Sequence, residues 1–193
     1  MSDYTVISSV NKTLHSLLFS NIKDDPQTNS IITNEDQISF SSPKDIAPDK
    51  KLCLFLYKIA EFSSMRNQIP STRTLEKRAL PPLYLSLHYL VIPYTQNIEG
   101  DVILIGKIMQ IFADHAILRG SYLQGSMAGD DTNLRIVLES LSIDDINKLW
   151  GVFGTHYRLS LSYSVSPVMI DLTQEKETAR VVEERSEYHT IPR

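Results

Sequence analysis

The sequence holds one cysteine, one tryptophan and no run of apolar residues approaching a membrane span. With Cys53 alone no intramolecular disulfide is possible, which excludes the disulfide-built class of small secreted folds. A membrane helix needs about 20 consecutive apolar residues, and no window offers them. The opening MSDYTVISSVNK lacks a basic segment followed by an apolar one, so no secretory signal is read there and cytosolic folding is expected. The net charge of −4 gives the whole protein no pull toward phosphate backbones. The five histidines, His15, His88, His115, His156 and His189, never fall at metal-ligand spacing with each other or with Cys53, and no G-x-S-x-G elbow occurs. Cys53 lies between Leu52 and Leu54, where packing is expected rather than nucleophilic chemistry. The loop GSYLQGS has the glycine spacing of a phosphate loop, but Ser126 occupies the place of the lysine, and Asp130 with Asp131 reads as a turn or cap.

What remains is ordinary globular composition: 42% hydrophobic and 22% charged over 193 residues, enough for one domain with a real core. Val6, Ile7, Val10, Leu14, Leu17 and Leu18 recur at helical spacing behind a Ser2 or Asp3 cap, predicting a helix to about Ser20. The polar, turn-rich stretch from Asn21 to Gln37 reads as a surface loop, and ISFS as a short strand. LCLFLYKI, Leu52 to Ile59, is apolar on both alternating faces, as in a strand covered on both sides. A long connector follows, collecting Arg66, Arg73, Lys77 and Arg78. It reads as a solvated loop, although such length inside a compact domain points to a use.

Two phrases then share one rhythm: LSLHYLVIP from Leu85 and LSLSYSVSP from Leu159. In the first strand, Leu83 to Ile92, residues Leu83, Leu85, Leu87, Tyr89 and Val91 point one way. In the second, Leu159, Leu161, Tyr163 and Val165 oppose a row of serines at 160, 162, 164 and 166. Both are expected in one sheet with an oily face toward helices, and the small serines suit a covered second face. His88 alternates away from the oily face and His115 sits near a helix end, so surface or capping roles are expected for both. EGDVILIGKIMQIFADHAIL is predicted as a buried helix with Val102, Ile105, Met109 and Phe112 on its stripe and Ile108 and Ile111 widening it. LRIVLESL is predicted as a strand, and Ser142 with Asp145 as a capping box opening a helix that Gly151 or Gly154 ends. The order is helix, three strands, helix, strand, helix, strand. That is α+β, a mixed, mainly antiparallel sheet of about four to five strands backed by helices. Past Asp171 the composition turns polar, so residues 1–172 are expected as the domain and 173–193 as a polar arm.

Four phrases in order resemble the tail-terminator, or cap, family of extracellular contractile injection systems, the phage-tail-like particles. They are LFLYKI with MRN at Met65 to Asn67; LPPLYLSLHYLVIPY; LIGKIMQIFADHAILRG; and LWGVFGTHYRLSLSYSVSPVMID. Together they cover roughly residues 4 to 172. The resemblance implies a fold similar to contractile phage tail terminators. The implied function is structural rather than enzymatic: a six-membered ring that closes the distal end of the inner tube and sheath, ends polymerisation and couples sheath to tube. Implied partners are the chain itself, the sheath protein and the inner tube or a tube-terminating protein, with no nucleic acid, cofactor or metal and no direct membrane insertion. The implied location is cytoplasmic assembly in a particle that is then released or surface-anchored. Some members carry a further C-terminal domain, and this chain resembles a short form.

Candidate contact residues follow from the loops and turns: Arg66, Asn67, Arg73, Lys77 and Arg78 in the connector, and Arg180, Val181 and Val182 in ARVVEER, whose alternation suits strand addition to a neighbour. Trp150, Tyr157 and Arg158 at the last helix-to-strand turn are residue types favoured at interface hot spots, with Trp150 as core anchor and Tyr157 as packing the competing reading. On the interface reading, Arg158→Ala weakens association and leaves the fold intact. Two other functions fit the chain: a nucleic-acid adaptor using Arg66, Arg73, Lys77 and Arg78, which predicts salt-sensitive binding, or a small enzyme, which predicts polar groups clustered in an apolar pocket.

Overall fold

The two matching phrases are neighbours in space. In the computed structural model, which describes residues 3–65, 77–79, 82–129, 131–172 and 175–177, they form the central antiparallel pair of a six-stranded sheet. Tyr89 stands opposite Tyr163, His88 opposite Ser164 and Leu90 opposite Ser162. The elements in chain order are α1 (Val6–Lys23), β1 (Ile38–Ser39), β2 (Leu52–Glu61), β3 (Lys77–Ala79), β4 (Leu83–Pro93), α2 (Ile98–Asp114), β5 (Ile117–Leu118), β6 (Leu134–Glu139), α3 (Ile143–Phe153), β7 (Leu161–Ile170) and β8 (Glu175–Glu177). Strand order is β1-β2-β4-β7-β6-β5; β1 runs parallel to β2 and the remaining pairs are antiparallel. Both edges are two-residue strands, a short-edge device that limits indiscriminate pairing.

Alternation along the central strands sends Leu85, Leu87, Tyr89, Val91, Tyr163 and Val165 into the main core, where α1 contributes Val10, Leu14 and Leu18 and α2 contributes Leu104, Ile108 and Phe112. An extra residue in β7 between the partners of Leu85 and Leu87 keeps both Val165 and Val168 on this side. The opposite face carries a second cluster, in which Cys53, Leu90 and Ile92 of the sheet pack against Trp150, Leu149 and Phe153 of α3. β2 is therefore covered on both sides, as its sequence predicts.

Several expectations are corrected. The helix α1 continues past Ser20 to Lys23, because Ile22 at its last turn still reaches the core. Its N-cap is Thr5, whose backbone N–H donates to Asp3 Oδ1. The stretch from Asn21 to Gln37 is not wholly a surface loop: Thr28 and Ile32 are buried, and Asp25 ties it to α2 through Lys107 at 2.9 Å. α2 ends at Asp114, with His115 at its C-cap, and Ile117–Leu118 turns away as the sixth strand. Its buried stripe is Leu104, Ile105, Ile108, Ile111 and Phe112; Val102 and Met109 face outward. β7 starts at Leu161, leaving Leu159 exposed before it. Inside the connector and the arm, β3 and β8 pair with each other, Lys77 opposite Glu177 and Ala79 opposite Glu175.

Candidate interaction surface

The last helix-to-strand turn is built from its caps outward. Ser142 Oγ accepts the backbone N–H of Asp145 at 3.2 Å and donates a hydrogen bond to its carboxylate at 2.6 Å, so one hydroxyl caps the helix and anchors the Asp145 side chain. After eleven helical residues, Gly154 ends α3 in the left-handed conformation, φ 64°. That reversal brings Tyr157 back over the helix. The Trp150 ring meets Phe153 and Tyr157 edge-on, each with centroids 5.8 Å apart.

Trp150 is 4% exposed and belongs to the core, whereas Tyr157 is 58% exposed at its border. Arg158 is engaged inside the chain: its guanidinium donates to Asp101 Oδ2 at 3.1 Å and lies 4.6 Å from the Tyr94 ring centroid. Asp101 in turn accepts from Thr95 N–H and Thr95 Oγ1, which fixes the first turn of α2. The structure thus brings together Trp150, Tyr157 and Arg158 and locks two of the three. Lys77 and Arg78 lie on β3, opposite Glu177 and Lys176. Arg66, Asn67, Arg73, Arg180, Val181 and Val182 fall outside the described residues.

A polar cluster that sequence reading missed sits on the α3 side of the sheet. Glu139 of β6 accepts from His88 Nδ1 of β4 at 2.9 Å and from Ser162 Oγ of β7 at 2.9 Å, and Tyr57 Oη of β2 lies 2.9 Å from Ser162 Oγ. Burial pushes the Glu139 carboxyl up, but the hydrogen bonds from His88, Ser162 and Tyr57 outweigh it and hold the group below the usual carboxylate range. His88 is therefore not a plain surface residue but part of a tie across four strands. The signal available was alternation: His88 and Ser162 are read as facing away from the main core, yet only the strand order brings them and Tyr57 to Glu139. In a serine hydrolase the imidazole stands between hydroxyl and carboxylate. Here the carboxylate accepts from His88 and from Ser162 separately, so the imidazole does not stand between them, and with Ser162 buried the cluster serves to join strands.

The remaining sequence candidates resolve as structure. Burial pushes the Cys53 thiol up to about 12, and it donates to Ser41 O at 3.2 Å. The GSYLQGS loop docks on α1: Ser126 N–H donates to Ser9 Oγ and Gln124 N–H to Thr13 Oγ1, each at 3.0 Å. Among the described residues, no group of three or more His, Cys, Asp or Glu side chains is placed to hold a metal ion, and no helix is long and apolar enough to cross a membrane.

Comparison with known proteins agrees with this scaffold. The fold is similar to the sheath/tube terminator of PVC, an extracellular contractile injection system, in the extended state, with TM-score 0.65, 17% identity and coverage of 100% of this chain and 66% of that one. It is also similar to the tube-terminating cap of the anti-feeding prophage, with TM-score 0.62, 16% identity and coverage of 93% and 60%. The chain thus spans about two thirds of the first and less of the second. No curated protein matches the sequence. The family match covers residues 9–184, running further into the C-terminal stretch than the resemblance read from the sequence. On that match the chain belongs to the Pvc16 N-terminal domain family.

Proposed function

We propose that this chain is a structural cap that closes the distal end of the inner tube and sheath of a contractile injection system, working by surface complementarity and making or breaking no bonds. The observation that carries the reading is the family match over residues 9–184, joined to a fold shared with both a sheath/tube terminator and a tube-terminating cap. The chain acts as a ring, six-membered as the family resemblance implies, and it binds itself, sheath and tube without nucleic acid, cofactor or membrane insertion. Residues 1–172 form the ring-building domain, and 173–193 an arm that reaches a neighbour. The particle assembles in the cytoplasm before release or surface anchoring.

Several features support a binding rather than a catalytic role. The one cysteine is buried with a raised pKa, and the polar cluster at Glu139 is consumed by strand ties. Tyr157 is exposed at the α3 turn, and we assign it to contact with a neighbour; to the same role we assign, from the sequence, connector residues Arg66, Asn67, Arg73, Lys77 and Arg78 and arm residues Arg180, Val181 and Val182.

The test is assembly. Tube and sheath proteins expressed with this chain should give particles of uniform length bearing a ring of density at one end, whereas omission should give overlong or ragged tubes. Particles unchanged by omission, with the chain left in the supernatant, overturn the reading.

A further inference from the structure

The outer side of α2 is unlike a solvated helix face. Ile98, Val102, Gly106, Met109 and Ala113 fall within about a quarter turn of one another at 3.6 residues per turn, and all five are exposed, Ile98 by 82% and Val102 by 54%. Gly106 sits in mid-helix, where glycine is a far poorer helix former than alanine. A Cβ built on it meets nothing within 4 Å, so the fold of the monomer has no need of a glycine there. A helix backbone left bare between Val102 and Met109 suits the close approach of a flat partner. One flank of the strip carries Glu99, and the nearby cation Lys107 is already held by Asp25 at 2.9 Å. The strip is therefore apolar with an acidic rim.

The complement lies on the opposite side of the same sheet. Leu118 and both Leu134 and Ile136 enter the main core, so alternation turns Ile117, Arg135 and Val137 to the α3 side. There α3 packs over Cys53, Leu90 and Ile92 of β2 and β4, and Ile117 and Val137 at the far edge stay half exposed. Ile117 is in register with Arg135, exposed Arg119 continues the extended chain, and Val137 stands opposite Ser164 of the serine row. This corner is apolar and basic, with the small side chain of Ser164 beside it.

We infer that α2 of one copy packs its Ile98–Ala113 strip onto the β5–β6 corner of a second copy, Glu99 meeting Arg119. Because the two patches lie on opposite faces of the sheet, the contact is head-to-tail, the type that closes into a ring or extends as a filament. The inference rests on the ring reading above and names the surfaces that build it. It assigns the contact to side chains the candidate residues of the connector and arm do not include.

The experiment uses the full chain, alone at high concentration and coexpressed with tube and sheath. Gly106→Gln fills the bare position with a helix-forming side chain. It should leave thermal unfolding unchanged or raised and weaken self-association at least about tenfold, a change of about 1.4 kcal/mol. Met109→Cys and Val137→Cys chains, mixed under mild oxidation, should cross-link to each other, while neither variant cross-links to itself. Retained self-association in Gly106→Gln, self-cross-linking of Met109→Cys, or a wild-type chain that stays monomeric in both settings overturns the inference. Failure of the cap reading looks different: the mixed cross-link forms, but the chain is missing from tube ends.

Discussion

Arg158 and Asp101 close the molecule across its sheet: the guanidinium donates at 3.1 Å from the strand-entry turn behind α3 to the first turn of α2, two helices that pack on opposite faces. The Arg158 side chain is 39% exposed and that of Asp101 15%, so solvent weakens the pair to the scale of a partly screened bridge, about 1 kcal/mol or less. Stacking on Tyr94 adds to it. Arg158→Ala is therefore expected to lower the melting temperature by roughly 2–4 °C for each 1 kcal/mol lost in a domain of this size. Arg158→Lys should recover only part, since an ammonium neither forks onto the carboxylate nor stacks in plane. A double-mutant cycle with Asp101→Ala should show positive coupling. Additive losses would mean that the bridge contributes nothing.

Glu139 makes stability depend on acidity. Its folded carboxyl is held below the usual carboxylate range, so it binds its proton less readily folded than unfolded. The stabilisation is fully present above the unfolded value, about 4.3, and is lost as pH falls through the folded value. Denaturant titrations from pH 7 to pH 3 should show Glu139→Gln already weaker than wild type at neutral pH, with the gap narrowing as the medium becomes acid. A gap constant across that range would remove Glu139 as its source.

Two glycines test the docking of the loop onto α1. Gly120 and Gly125 both have positive φ, 59° and 64°, yet a Cβ at Gly120 meets open space, whereas one at Gly125 lies 2.5 Å from Ser9 Oγ and 3.1 Å from its Cβ. Gly120→Ala should cost about 1–2 kcal/mol from left-handed backbone strain alone. Gly125→Ala should cost more, because it also pushes Ser9 away from Ser126 N–H and opens the loop. Amide exchange of Ser126 and Gln124 should rise in Gly125→Ala and stay slow in Gly120→Ala.

How far the sequence carried this picture depends on the range of the cause. The strands at Leu52, Leu83 and Leu134 and the cap at Ser142 were legible because alternation and capping act within a few residues. The two rhyming phrases were placed in one sheet from their pattern, and their direct pairing adds Tyr89 against Tyr163. The sixth strand, Ile117–Leu118, was hidden because two residues show no period. The stripe of α2 was misjudged by its outer residues: Val102 and Met109 keep helical spacing with Ile105, and only the positions of α1 and β7 decide which side is buried. Asp101 beside Arg158 and Glu139 beside His88 are far apart along the chain, and no local rule joins them. The turn at Trp150 was legible as a cluster, but whether it faced core or neighbour was not, since aromatic residues favour both.

That last ambiguity has a chemical test at the indole nitrogen. Trp150 Nε1 is buried with no hydrogen-bond partner among the described residues, while the ring packs edge-on against Phe153 and Tyr157. A buried donor left unpaired carries a desolvation penalty of about 1–3 kcal/mol. Removing the donor while keeping an aromatic ring should therefore offset much of the packing lost with the smaller side chain. Trp150→Phe is expected within about 1 kcal/mol of wild type, whereas Trp150→Ala should cost about 3–5 kcal/mol, the range for emptying a buried aromatic site. Tyr157→Ala, at the exposed border of the same cluster, should change stability little and act instead on association with neighbours. If Trp150→Phe proves as damaging as Trp150→Ala, the indole N–H has a partner in solution and the anchor is polar as well as aromatic.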